Sequence, residues 1–303
     1  MRLLHNMRTV VSTQWLREQL GTGNTPTRAL RVLDTSFVKN KEIDTYTSAY
    51  LEEHIPQSLY FGLHSCVEST PEIPRNLPET HCFQNNMRQL GIWPDTHVVA
   101  YDRFGPSSAF RTWWIFRLFG HRKISVLDGG FKKWKAEGFE TTKQEPIVAR
   151  SDVEAQLDRS LMRTYDQMMM NIRTRQEQIA DARAPDEPSV MEIATDGGKI
   201  PGAKHVGFNE LFTEEGTIKS QEELKAMFDA AGLDLNRPMV ASCFSGLTAC
   251  GVAAAAHILG KDIPVYYGSW MEWRARAPEE LKCRGCGSCS ECDKLVVKVR
   301  TAQ

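Results

Sequence analysis

The chain has 303 residues, 41% hydrophobic and 25% charged, with 37 Lys+Arg against 38 Asp+Glu. That length is a soft prior for about two domains, and the near-cancelling charge argues against a general affinity for nucleic acid or anionic membrane. No apolar run reaches the ~20 residues of a membrane-spanning helix; the longest candidate, Gly251–Leu259, is short and contains His257.

The first 17 residues carry three Arg and no acid. This composition occurs in transit peptides, while Val10–Leu20 reads as an amphipathic helix of the folded domain. Arg31-Val-Leu-Asp34 follows as a strand that ends in an acid, then His54-Ile-Pro56, then the strand His97–Tyr101 ending at Asp102. Leu118-Phe-Gly120, Val126-Leu-Asp-Gly129 and Trp134 close this half. The same series recurs in order: Gln178-Ile-Ala-Asp181, Lys199-Ile-Pro201, Pro238–Ser242 ending at Cys243, Ile258-Leu-Gly260, Val265-Tyr-Tyr-Gly268 and Trp273. The offset between matching positions falls smoothly from 147 to 139 residues, as loop-length differences make it do. The chain reads as a tandem duplication.

In each half, short β-rich runs bounded by Gly, Pro and Asp alternate with helical patterns, which predicts α/β architecture with a parallel sheet per half. The expected organisation is a domain over 8–140, a polar linker over 141–160, a second domain over 161–282 and a Cys-rich tail over 283–303. Among the eight cysteines, Cys66, Cys82 and Cys250 read as ordinary small core or surface residues. With no secretory signal evident, all are expected as thiols.

Cys243 ends a strand, and an alanine-rich helix starts near Thr248. In a parallel α/β sheet, ligands bind beyond the carboxyl ends of the strands. The loop Cys243-Phe244-Ser245-Gly246-Leu247-Thr248 therefore places a thiol over backbone N–H groups and a helix N-terminus, the environment that suits a nucleophilic cysteine. Gly246 permits a tight turn, Ser245 and Thr248 add hydroxyls, and the alanines of Ala249–Ala256 let the helix approach the sheet. In the first half Asp102 occupies the cysteine's slot, so packing does not demand sulfur there. A cysteine phosphatase needs an Arg six residues after its nucleophile, and position 249 is Ala.

The loop Cys243–Ala249 resembles the six-residue active loop of rhodanese-type sulfurtransferases. Ser at its third place and Gly at its fourth make it similar to the 3-mercaptopyruvate type. His54-Ile-Pro, Val98–Asp102, Trp113–Gly120, Leu127–Phe131, Asp181-Ala-Arg183, Ile200–Ala203 and Gly268-Ser-Trp270 also stand where that family has them, over about 270 residues. The resemblance implies two tandem rhodanese-like domains, the first inactive through Asp102. It also implies a Cys243 persulfide that carries sulfur from 3-mercaptopyruvate to cyanide or to a thiol such as thioredoxin, with no cofactor. Arg183 matches an arginine that holds the substrate carboxylate, Ser245 a serine that assists proton handling, and Phe244, Gly246, Leu247 and Thr248 the rest of the substrate loop. A cytoplasmic or mitochondrial place is expected, with no nucleic-acid or membrane partner.

Several family features differ. No arginine occurs between Arg183 and Arg237, Lys199 replaces the His of a Gly-His-Ile-Pro-Gly motif, and Tyr267 replaces an Asp. The family's Asp and His from the first domain correspond to His64 and Arg75, so Arg75 is a candidate second clamp and Lys199 a further source of positive charge. These departures keep thiosulfate as an alternative donor, and a non-catalytic sulfur carrier or binding protein as an alternative of another class. The tail thiols Cys283, Cys286, Cys289 and Cys292 leave three readings open: a metal or cluster site, a thiol relay, or no chemistry.

Overall fold

The computed structural model describes residues 8–21, 26–38, 44–183 and 198–282. The tail cysteines and residues 184–197 lie outside them. The described chain divides into two compact units. The first holds residues up to Glu68, Leu77–Asp158 and Phe212–Ile218, and the second Ser69–Asn76, Arg159–Leu211 and Lys219 onward.

The first unit is built on a parallel sheet of five strands: β1 (Val10–Val11), β2 (Leu30–Asp34), β3 (Ser58–Tyr60), β4 (His97–Tyr101) and β5 (Ile124–Leu127), in the order β1-β5-β4-β2-β3. The second repeats it with β6 (Met162–Arg163), β7 (Gln178–Asp181), β8 (Ala203–His205), β9 (Met239–Ser242) and β10 (Val265–Tyr266), in the order β6-β10-β9-β7-β8. Strand for strand the two orders are the same, so the internal repeat read from spacing is a repeat of topology. Asp34 pairs in register with Tyr101, and Asp181 with Ser242. Each unit thus sets an acid beside the end of its central strand, one residue before Asp102 or Cys243.

Helices flank both sheets. Those that follow the central strands are almost wholly buried: Ser108–Leu118 in one unit and Ala249–Ala256 in the other. A helix buried on nearly every side is packed against neighbours all round, which fixes where its N-terminus points. At Gly251 a Cβ would come within 2.3 Å of the Phe208 ring, so this helix approaches its neighbour more closely than alanine allows.

Three sequence expectations are modified. Val10–Val11 is strand β1, and the N-terminal helix is Thr13–Leu20, capped by Ser12, whose side chain accepts from the Trp15 N–H. Residues 141–158 count with the first unit, where Ser151 and Val153 are buried and Ser151 donates to the Ile92 carbonyl at 2.6 Å. Cys66 and Cys82 are not thiols but form a disulfide; across 16 residues of separation, the pairing was not legible in the spacing. Cys243 and Cys250 are free and buried. No helix among the described residues is long and apolar enough to cross a membrane.

Candidate active site

Cys243 follows β9 and is 1% exposed. Its carbonyl accepts from the Trp270 N–H (3.0 Å), its own N–H donates to Ser269 Oγ (3.1 Å), and the Gly246 N–H donates to its Sγ at 3.1 Å. The chain therefore folds back over the sulfur, and the Phe244 carbonyl is tied down by the Met271 N–H at 2.9 Å. Gly246 has φ of +82°, and a Cβ there would lie 2.2 Å from the Tyr267 carbonyl oxygen. Both the left-handed backbone and the close approach exclude a side chain. Thr248 stands at the N-cap of the helix Ala249–Ile258 without a side-chain cap, and the Cys250 and Gly251 N–H groups turn back to the Leu247 (3.3 Å) and Thr248 (3.0 Å) carbonyls of the loop.

Ser269 was quoted in the sequence only as part of a motif. It stands at φ of +52° although it is not glycine. A non-glycine residue in this region is uncommon and worth explaining. Here the conformation puts Oγ 3.1 Å from the Cys243 nitrogen, 2.8 Å from the Tyr266 carbonyl and 3.7 Å from Cys243 Sγ. Its single proton can go to the Tyr266 carbonyl or to the sulfur, so Ser269 is a second polar group poised on Sγ.

Arg183 is anchored by its neighbour. Its Nε lies 3.0 and 3.1 Å from the two Asp181 carboxylate oxygens, its Nη2 also donates to Asp181, and its Nη1 donates to the Gly198 carbonyl at 2.9 Å. The guanidinium stands 5.3 Å from the Trp270 ring centroid. Burial works against its charge, but Asp181, and then Cys243, more than offset this and hold it above its ordinary pKa. Trp270 joins the two groups: its N–H holds the Cys243 carbonyl and its ring packs on Arg183. Lys199 follows Gly198, beside that arginine's anchor rather than in the Cys243 loop.

Ser245 is buried, and Arg75 Nη1 donates to its Oγ. Arg75 belongs to Ser69–Asn76, the stretch that counts with the second unit although it precedes that half by more than eighty residues. Leu247 is buried, while Phe244 and Thr248 are half-buried and Phe244 packs on the core of the second unit. His64 lies edge-on to Phe37 at 4.6 Å in the first unit.

The first unit shows the same loop closed on itself. The Asp102 carboxylate accepts from the N–H groups of Phe104 (2.9 Å) and Ser108 (3.2 Å) and from the Ser108 hydroxyl, at the N-terminus of helix Ser107–Leu118. Arg103 pairs with buried Asp34 at 2.9 Å and lies 4.0 Å over the Phe131 ring. This matches the Asp181–Arg183–Trp270 group in the other unit. Burial raises the Asp102 pKa to about 6, although its hydrogen bonds pull the other way. Because 6 is above the unfolded value of 3.8, the folded chain keeps a proton that the unfolded chain has released between these values. The stability linked to that proton is lost as pH rises through the window. Urea unfolding at pH 4 and pH 7 should therefore show Asp102→Asn gaining about 1–3 kcal/mol on wild type over that interval. A difference independent of pH would contradict this ionisation.

Comparison with known proteins agrees with this geometry. Residues 12–137 and 164–276 match the Rhodanese-like domain. The chain is 40% identical over 281 residues to thiosulfate sulfurtransferase of Bos taurus, covering 90% of this chain and 94% of that protein. It is 38% identical over 288 residues to 3-mercaptopyruvate sulfurtransferase of Mus musculus, covering 92% and 97%. The fold superposes on the crystal structure of SseA, a 3-mercaptopyruvate sulfotransferase from Escherichia coli, with a TM-score of 0.74 at 27% identity, over 87% of this chain and 99% of that one. With two such domains and these relatives along nearly its whole length, the chain belongs to the rhodanese family of sulfurtransferases.

Proposed function

We propose that Cys243 is the sulfur-carrying nucleophile and that 3-mercaptopyruvate is its donor. The observation that carries the reading is the Gly246 N–H on Cys243 Sγ, in a loop that closes over the sulfur in front of a helix N-terminus. Such donors stabilise an anionic sulfur wherever it forms. The Cys243 thiolate attacks the donor's sulfur, an S–S bond forms and the donor's C–S bond breaks. The leaving enolate takes up the proton that was on the donor thiol and departs as pyruvate. A thiolate or cyanide then attacks the outer sulfur of the persulfide and regenerates the Cys243 thiolate.

Arg75 donates to Ser245 Oγ, which turns the hydroxyl's own proton outward, available to the donor's carbonyl or the enolate. Arg183, its fork fixed by Asp181, supports the reading of a carboxylate anchor. The loop from Cys243 to Thr248 carries no Lys or Arg, which disfavours a dianion. One observation favours thiosulfate instead: Arg75 brings a guanidinium to Ser245 from outside the loop.

Intact-protein mass spectrometry after brief exposure to each donor, without acceptor, decides between them. The expected result is one added sulfur on Cys243, removable by cyanide, loaded faster from 3-mercaptopyruvate. Faster loading from thiosulfate selects the second donor, and loading at another residue, or none, overturns the assignment of Cys243.

A further inference from the structure

Ser269 takes its left-handed φ of +52° at the first position of the helix Ser269–Arg276. The first unit offers an internal comparison. At the repeat offset of 139 residues, Gly268, Ser269, Glu272 and Arg276 answer to Gly129, Gly130, Lys133 and Glu137. Gly130 begins its own helix at φ of +56°, a conformation that glycine adopts without strain. The Phe131 N–H donates to the Asp102 carbonyl at 3.0 Å, as the Trp270 N–H does to that of Cys243. The turn is therefore the same in both units and does not require a side chain. The unit that carries the thiol has a serine there, and its Oγ lies 3.7 Å from Cys243 Sγ. Backbone strain of this kind persists where the surroundings over-determine it.

Glu272 supplies much of that constraint. The Trp270 and Met271 N–H groups, left free by the start of the helix, hold the Cys243 and Phe244 carbonyls. One residue on, the Glu272 N–H closes the first helical turn on the Gly268 carbonyl at 3.2 Å. The Glu272 side chain folds back over the same glycine, where any Cβ would run into its Oε2 and Cδ. This side chain is 3% exposed, and Oε2 makes no hydrogen bond of ordinary geometry among the described residues. A buried carboxylate is costly unless it is paired. Arg276 Nη1 pairs with Oε1 at 2.5 Å, and the same guanidinium stacks 4.0 Å over the Tyr165 ring and lies 3.7 Å from Asp166. In the first unit Lys133 folds over Gly129 in the same way and pairs with Glu137 at 3.0 Å, but both side chains are partly exposed. The glycine turn has a surface ion pair at its back; the serine turn has a carboxylate sunk beneath it.

We propose that Glu272, locked by Arg276, is a positioning residue for sulfur loading: it pins Gly268–Met271 so that the Ser269 hydroxyl stays on Cys243 Sγ. The proposal rests on the reading of Cys243 as the sulfur-carrying thiol. A hydroxyl that donates to the sulfur stabilises its anionic, reactive form. Without Glu272 the turn relaxes, and the Ser269 proton is left to the Tyr266 carbonyl, 2.8 Å from Oγ. The direct electrostatic effect of Glu272 has the opposite sign, because removing a negative charge favours an anionic sulfur. The direction of the change therefore separates positioning from charge.

The test measures two rates in wild type, Glu272→Ala, Glu272→Gln, Ser269→Ala and the double variant Glu272→Ala with Ser269→Ala. One is single-turnover sulfur loading of Cys243 from 3-mercaptopyruvate. The other is alkylation of Cys243 by iodoacetamide, mapped by peptide so that Cys250 is counted apart. Glu272→Ala should slow both about tenfold, the effect of losing one hydrogen bond to a charged group. The donor concentration at half-saturation should not change, because Arg183 keeps its Asp181 bonds. Full loading amplitude at the slower rate distinguishes this from a loss of folded protein. Ser269→Ala should match Glu272→Ala, and the double variant should be no slower. Glu272→Gln fills the same space and can still accept from Arg276, so it should recover most of both rates. Arg276→Ala, at a side chain 46% exposed, serves if Glu272→Ala does not fold, and should slow both rates. Faster alkylation, unchanged rates, losses that multiply in the double variant, or a Gln variant as slow as the Ala variant would each overturn the proposal. A wild type that is alkylated at Cys243 but takes no sulfur would count against the sulfur-carrying reading, while the alkylation rates still decide the role of Glu272.

Discussion

Cys243→Ser should abolish persulfide formation and lower sulfur transfer to cyanide at least about a thousandfold, since an alcohol offers almost no nucleophile at neutral pH and cannot hold a transferable sulfur. The fold should survive. The residue is buried, serine is close in size, and its oxygen can accept the Gly246 N–H now on the sulfur. The Cys243 N–H remains bonded to Ser269, and its carbonyl to Trp270. Thermal unfolding should thus stay within a few degrees while activity vanishes. The obvious substitute is Cys250, also buried, whose Sγ lies 3.4 Å from the Gly246 carbonyl. It sits in the helix, outside the loop that closes over Sγ. A Cys243→Ser protein that kept a tenth of its activity would move the chemistry to Cys250 or elsewhere.

The second large effect is expected from Gly246→Ala. A methyl at this position meets the Tyr267 backbone oxygen at 2.2 Å and its carbon at 3.1 Å, and backbone cannot swing aside as a flexible side chain does. The left-handed φ costs a further ~1–2 kcal/mol for any L-residue with a Cβ. The loop must therefore move, and the N–H that moves with it is the one on the Cys243 sulfur. A fall in kcat/KM of about a hundredfold follows, matching the loss of one well-placed donor in an anion-stabilising site. Thr248→Ala, two residues on, makes no side-chain cap and should change little. Near-normal kinetics for Gly246→Ala would show that the closed loop is not the reactive form.

The fold was legible because duplication let each half check the other. A single Gln178–Asp181 pattern is ambiguous, but the same pattern at a drifting offset, each time ending in an acid, fixed two strands and their order. The Cys243 loop was legible for a local reason: strand, turn and alanine-rich helix are contiguous between Met239 and Ile258. What escaped was whatever depends on distant pieces of chain. Ser269 matters because 26 residues after Cys243 the backbone returns with a positive φ, and a serine gives no sign of that conformation. The disulfide was missed because Cys66 and Cys82 sit in unremarkable contexts, with nothing between them that marks a loop folded back on itself. Arg75 was singled out only by matching positions with a family, and nothing in the local sequence signals that it donates to the distant Ser245 hydroxyl.

The division of the chain into units has a genetic corollary. Ser69–Asn76 counts with the second unit and Phe212–Ile218 with the first. Two copies of a gene can be separated again only while each encodes everything its product needs. Here each half has lent a short stretch to the other, so a crossover or break near residue 150 would yield two incomplete proteins. The first half carries Asp102 where the second has Cys243, yet deletion cannot discard it, because the arginine that donates to Ser245 is written inside it. The duplication is locked, and the two halves can now be inherited only as one.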